Sequence, residues 1–122
     1  MSNGEFDEAV KYIADNIESS VFVGVIGRDG LPVAVVSKEN FEKSESSAEI
    51  ASIFNNVNRV AKVLEMGEFH DFFFNAEKFG CLVLKMNNDY FIAIIMHSPV
   101  NIGRARLEAK RMMPKLQRLV EI

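Results

Sequence analysis

The chain has 122 residues, 48% of them hydrophobic and 25% charged, and a formal net charge of −3. This length suits one domain over residues 1–122, and the acidic balance excludes a general basic field that would recruit nucleic acid. Its one cysteine cannot form an internal disulfide, its N-terminus has no signal-like segment, and its apolar runs are too short to cross a bilayer, so we expect a cytoplasmic protein without direct membrane insertion.

The predicted elements begin with an amphipathic helix and a β-hairpin. Apolar residues recur at helical spacing at Phe6, Val10, Ile13 and Ile17. Residues 21–37 then read as two strands that turn at Asp29-Gly30, where glycine supplies a positive φ without steric cost. The first strand is apolar on both faces, with Val21, Val23 and Val25 expected on one and Phe22, Gly24 and Ile26 on the other. Such a strand must be covered on both faces.

A second amphipathic helix follows a polar loop over residues 38–46. Ser46 or Ser47 is the predicted cap, and the helix should stop at Gly67. One stripe of this middle helix holds its apolar residues: Ile50, Ile53, Phe54, Val57, Val60, Ala61 and Leu64. The residues outside that stripe are polar: Asn55, Asn56, Asn58, Arg59 and Lys62.

Three strands and a last helix complete the pattern. The strands are expected over residues 68–75, 79–86 and 90–96, and Pro114 should kink or shorten the helix that follows. The element order is α-β-β-α-β-β-β-α, which defines an α/β (α+β) fold. Four cations fall on one face of the last helix: Arg104, Arg111, Lys115 and Arg118. This face can be simply solvated, or it can bind an acidic partner or a membrane surface.

Motifs that carry chemistry are missing from the sequence. There is no P-loop, no dinucleotide fingerprint, no Cys-x-x-Cys and no His-x-x-x-His. His70 and Asp71 are neighbours on a strand and point to opposite faces, His97 lies in a loop without a nucleophile elbow, and Cys81 is expected as a small buried hydrophobe. We predict no catalytic residue, no cofactor and no metal, and therefore a protein that is not an enzyme.

Four segments together resemble the roadblock/LC7 family of small interaction domains. They are the hairpin with Asp29-Gly30-Leu31-Pro32, the helix over 48–64, the strand over 80–84 and the helix start over 101–106. The resemblance implies a five-stranded antiparallel sheet with helices 1 and 3 on one face and helix 2 on the other, a profilin-like arrangement. It also implies dimerisation through middle helices and third strands, and a role as regulator or scaffold of small Ras-like GTPases or as a dynein light chain.

The residues independently favour a homodimer, because one middle helix covers its face of the sheet only in part. The predicted contacts are Ile53, Phe54, Val57 and Val60 on the helix, with Phe72 and Phe73 on the third strand. Phe72 and Phe73 can equally be core residues. The predicted GTPase-binding residues are polar: Asn55, Asn58, Arg59 and Lys62. An arginine finger at Arg59 is the alternative for that residue, although the family resemblance supplies no matching arginine.

A different class of function uses the same elements. A PAS-like or profilin-like sensor would enclose a small molecule in a cavity with convergent polar groups. The predicted interior is almost wholly apolar, which favours the interaction module over the sensor. A retained small ligand would favour the sensor instead.

Overall fold

The computed structural model describes residues 3–121. Its elements are α1 (Asn3–Asn16), β1 (Ser20–Gly27), β2 (Pro32–Ser37), α2 (Lys43–Val63), β3 (Asp71–Asn75), β4 (Phe79–Lys85), β5 (Tyr90–His97) and α3 (Ile102–Val120). The strands form one antiparallel sheet in the order β2-β1-β5-β4-β3. Helices α1 and α3 pack on one face of this sheet and α2 packs on the other. The predicted fold class and element order are confirmed.

Two apolar cores lie on either side of the sheet, as expected from strands that are apolar on both faces. The core under α1 and α3 includes Val10, Ile13, Val25, Leu82, Ile92, Ile94 and Leu116. The core under α2 includes Phe22, Ile26, Phe54, Val83, Phe91 and Ala93. Every residue of β1 is buried, because its position near the middle of the sheet leaves neither face in water.

The face of the sheet predicted for Val21 in β1 is wrong. The pairing of β1 with β5 shifts register between Ser20 and Phe22. Val21 consequently packs in the same core as Phe22, under α2, rather than beside Val23. An extra residue in one strand changes which face the following side chains occupy, and apolar periodicity alone does not reveal it.

The β1–β2 turn lies against α2. Gly30 has a φ of +89°, and a Cβ there would lie 3.3 Å from the Cα of Ala48. Asp29 stabilises the turn by accepting a 3.0 Å hydrogen bond from the backbone N–H of Leu31. Both the backbone conformation and the close approach of α2 therefore require glycine at residue 30.

The N-terminus of α2 is capped by Glu42, not by Ser46 or Ser47 as predicted. The Glu42 carboxylate accepts hydrogen bonds from the backbone N–H groups of Ser44 (2.8 Å) and Glu45 (3.0 Å). These hydrogen bonds hold the pKa of Glu42 below its ordinary value. Ser47 is buried one turn into the helix, where its hydroxyl donates to the carbonyl of Lys43 at 2.6 Å. The helix thus begins earlier than a serine cap would allow.

Other boundaries also differ from the predictions: α2 ends at Val63 instead of continuing to Gly67, and His97 is the last residue of β5 instead of lying in a loop. Strand β3 begins at Asp71 rather than residue 68, and in the segment before it the side chain of Glu68 and the ring of Phe69 contact Lys85. Helix α3 starts after Asn101, whose side chain accepts a 3.0 Å hydrogen bond from the backbone N–H of Arg104, and it continues through Pro114.

Candidate interaction surface

The C-terminal part of α2 and the turn after it carry large apolar side chains in water. We call this the α2 apolar surface, and it consists of Val60, Val63, Leu64 and Met66. The exposed fraction runs from 40% at Val60 to 70% at Met66. Ile53 and Val57 are half-buried and lie two turns and one turn before Val60 on the same side of the helix. A contiguous apolar surface of this kind is typical of a protein interface.

Phe54 does not belong to this surface. Its side chain is fully buried, its ring stacks on Phe91 with centroids 4.5 Å apart, and it meets the edge of Phe69 at 5.4 Å. We therefore remove Phe54 from the predicted dimer contacts and assign it to the core under α2. The apolar stripe is wider than the part of the helix that touches the sheet, so periodicity placed Phe54 and Val60 in one set although only one of them is exposed.

Strand β3 forms one edge of the sheet and carries phenylalanine on both faces. Phe72 is half-buried on the α2 side, 6.1 Å from the ring of Phe69, and Phe73 is half-buried against the core under α1 and α3. Phe74, again on the α2 side, is exposed. Within residues 3–121, β3 pairs only with β4, so the other backbone edge of β3 is available to another strand.

The four polar residues predicted to bind a partner separate into two pairs. Asn55 donates a 2.9 Å hydrogen bond to the carbonyl of Arg28, and Asn58 accepts one from Lys85 at 3.1 Å. These two amides hold α2 against the β1–β2 turn and the end of β4. Arg59 and Lys62 are exposed and extend into solvent from the same helix. Arg59 and Lys62 therefore remain the better candidates for partner contact.

Lys85 joins α2 to the segment before β3. Its side chain is only 8% exposed, and its ammonium contacts Asn58, the carboxylate of Glu68 and the ring face of Phe69, whose centroid is 5.0 Å away. The hydrogen bond from Lys85 holds the pKa of Glu68 below its ordinary value. Lys85 thereby fixes the position of the exposed residues that follow α2.

A shallow groove of about 540 Å³ runs beside Lys85 and opens to solvent. It is lined by Arg28, Asn58, Ala61, Lys62, Glu65, Gly67, Glu68 and Asn88. Its walls carry both cations and carboxylates, so no single ligand charge is favoured. The groove does not have the enclosed apolar shape of a small-molecule site.

The remaining candidates for chemistry are engaged elsewhere. Asp71 accepts a 2.9 Å hydrogen bond from Arg106, and His97 pairs with Glu39. Burial raises the pKa of the Cys81 thiol to about 12. Over residues 3–121 no group of three His, Cys, Asp or Glu side chains is arranged to hold a metal ion, and none of the helices there has the length and hydropathy to cross a membrane.

Val63 and Met66 are exposed apolar residues that the sequence analysis did not single out. Val63 lies outside the helical stripe and Met66 follows the end of α2. An apolar side chain outside the predicted buried stripe was the available signal.

Comparison with known proteins finds relatives by structure only. No family model matches the chain, and no curated protein matches its sequence. MglB of Myxococcus xanthus superposes with a TM-score of 0.89 at 14% identity, over 98% of this chain and 90% of that one. A structure described as MglB with tetrameric arrangement superposes with a TM-score of 0.86 at 17% identity, over 99% of this chain and 92% of that one. A roadblock/LC7 domain of Streptomyces avermitilis superposes with a TM-score of 0.86 at 8% identity, over 95% of this chain and 98% of that one.

The architecture and these likenesses define a class of small α+β domain with one helix on one face of the sheet and two on the other. The chain has the roadblock/LC7 fold. The fold that the sequence resemblance implied is therefore confirmed. Since all three identities are below 20%, the likeness concerns the fold.

Proposed function

We propose that this protein is a non-enzymatic interaction module that forms a homodimer through α2 and β3 and binds a small Ras-like GTPase. The α2 apolar surface is the observation that carries the proposal. Isolated apolar side chains are normal on a protein surface, but four close together at the end of one helix are better explained by a partner. The fold and the family resemblance supply the class of partner.

The proposed dimer contact uses the α2 apolar surface, with Ile53 and Val57 beside it, and the free edge of β3. Each buried Val, Leu or Met side chain contributes about 1.5–3 kcal/mol when it leaves water completely. A stable interface buries roughly 1,200–2,000 Å² in total, and one helix face alone does not reach that area. The edge of β3, with Phe72 and Phe74 on its α2 side, supplies additional surface.

Sedimentation velocity of Val60→Asp and Leu64→Asp tests this dimer. Both substitutions place a charge on the α2 apolar surface, and we expect the mass to fall to half of the wild-type value under the same conditions. Leu31→Asp is the matched control, because Leu31 is about as exposed as Leu64 but lies in the β1–β2 turn. A wild-type protein that is monomeric at high concentration would refute the proposed dimer.

The proposed GTPase contact uses Arg59 and Lys62 on the solvent side of α2. Binding can be measured by interferometry with purified small Ras-like GTPases from the same genome, each loaded with GDP or with a GTP analogue. Losing two partly exposed ion pairs should weaken binding about tenfold in the Arg59→Ala/Lys62→Ala double variant. Ser52→Ala, at another exposed position of α2, is the control and should bind as the wild type does.

The same experiment separates binding from catalysis. If no GTPase binds in either nucleotide state, the proposed partner is wrong. If Arg59→Ala keeps binding but abolishes stimulation of GTP hydrolysis, Arg59 is an arginine finger rather than a docking residue. We expect the hydrolysis rate of a bound GTPase to be unchanged by Arg59→Ala.

A further inference from the structure

On the outer surface of α1 and α3, most acidic side chains lie on α1 and most basic ones on α3; the one exposed cation of α1, Lys11, is paired with Asp15 of the same helix. Arg104, Arg111, Lys115 and Arg118 form a basic stripe along α3, and Glu5 and Glu8 are exposed on α1. The two helices run antiparallel, since the guanidinium of Arg104 donates to the carbonyl of Asn16 and that of Arg111 reaches the hydroxyl of Tyr12. The acidic end of α1 therefore lies beside the C-terminal end of the basic stripe.

One buried carboxylate neutralises only part of the stripe. Glu108 is fully buried, accepts a 3.1 Å hydrogen bond from Tyr12, and lies 3.0 Å from Arg104 and 3.5 Å from Arg111. Across residues 4–121, no ion pair joins an α1 carboxylate to an α3 cation. Lys115 and Arg118, like Glu5 and Glu8, have no ionic partner within that part of the chain.

We propose that this surface binds a second copy of the same chain, α1 of each copy lying over α3 of the other. A two-fold axis parallel to the helices relates the two copies, so that α1 of one copy faces α3 of the other. It thereby places Glu5 and Glu8 of each copy opposite Lys115 and Arg118 of the other. The contact is isologous, and every ion pair occurs twice. Leu107, 46% exposed within the basic face, supplies apolar area at the same surface.

A second copy fits this surface better than an anionic membrane does. A bilayer would attract the basic stripe but repel Glu5 and Glu8 beside it. A second copy satisfies both signs of charge at once. The surface lies across the sheet from α2, so it is independent of the proposed α2 dimer, and both contacts together would build a tetramer.

Two charge-reversed variants test the contact: Glu5→Lys/Glu8→Lys and Lys115→Glu/Arg118→Glu. Each presents like charges to its own copy and should remain at half the wild-type mass at low salt. A mixture of the two variants presents opposite charges at every pair, so it should recover the wild-type mass. Circular dichroism melting of each variant checks that the protein of 13.7 kDa remains folded.

Salt provides a second readout in sedimentation equilibrium. Raising the salt from about 0.1 M to about 1 M shortens the Debye length from roughly 10 Å to roughly 3 Å, so self-association should weaken at least about tenfold. Val60→Asp should halve the mass at both salt concentrations without removing the salt dependence. Loss of the α2 dimer is thereby distinguished from loss of this contact.

Three outcomes would overturn the inference. The wild-type mass could be the same at both salt concentrations, or the mixed variants could fail to associate. Alternatively, the wild type could bind vesicles of phosphatidylserine and phosphatidylcholine through Lys115 and Arg118 without self-associating, which would assign the stripe to a membrane.

Discussion

Phe54 is the residue at which a role in the core and a role in an interface predict different results. It lies on the apolar stripe of α2, yet its side chain is fully buried between the sheet and Phe69. Its ring stacks on Phe91 at an interplanar angle of 20°. Truncating this side chain should therefore destabilise each protomer, whether or not the protomers associate.

The expected magnitude follows from what the ring contacts. Phe→Ala in a packed core costs about 3–5 kcal/mol, and the upper half of that range is appropriate because Phe54→Ala also loses two aromatic contacts. Native domains have free energies of unfolding of about 5–15 kcal/mol, so the variant should lose a large share of its stability. Phe54→Leu keeps more of the volume and should lose about 1–2 kcal/mol.

Urea unfolding followed by circular dichroism measures these losses. A core residue should give the same loss at about 1 µM and about 100 µM protein, whereas an interface residue gives a loss that depends on concentration by mass action. Val60→Ala is the comparison, and at the lower concentration it should change the free energy of unfolding by at most about 0.5 kcal/mol. A Phe54→Leu variant as stable as the wild type, or one destabilised only at high concentration, would refute the core assignment.

Three further predictions concern buried or capping groups. Glu108→Gln should lower the free energy of unfolding by about 1–3 kcal/mol in urea titrations, because the carboxylate joins Tyr12 of α1 to two arginines of α3; an unchanged value would contradict this link. The lowered pKa of Glu42 means that its cap stabilises the protein above 4.5, its ordinary pKa, and that this stability is lost as the pH falls through the lower folded-state pKa. The difference in Tm between wild type and Glu42→Gln should thus be present near pH 7 and shrink as the pH falls below 4.5, and a constant difference would count against the cap. Since burial raises the pKa of Cys81 to about 12, a thiol reagent should label the native protein much more slowly than the urea-unfolded protein, and comparable rates would show that the thiol is accessible.

Comparison of particular elements shows where prediction from sequence succeeded. Strand β1, apolar on both faces, predicted a sheet covered on both sides, and the Asp29-Gly30 turn predicted the hairpin that opens it. Prediction of the α2 cap failed because Glu42 is a longer side chain than the usual capping residues, and two serines nearby had the expected chemistry. Val21 was placed on the wrong face because a register shift breaks the alternation.

The candidate interaction surface was predicted only in part. Val60 was expected and is exposed, but Phe54, on the same stripe, is in the core. Asn55 and Asn58 were expected to face a partner, but they hydrogen-bond to the chain itself at Arg28 and Lys85. In both cases the contacting residue of the same chain is distant in sequence, so no local sequence pattern could reveal the contact.

By itself, the sequence determined the layers of this protein. Apolar residues at strand or helix spacing indicate which side of each element avoids water, and this preference depends only on neighbouring residues in the sequence. Only the tertiary structure decided how far α2 covers the sheet, and therefore which residues of its stripe stay in solvent. It also brought Lys85 to Asn58 and Glu68, and Tyr12 to Glu108. Those contacts depend on the position of each helix over the sheet, which is set by the packing of side chains from several elements at once.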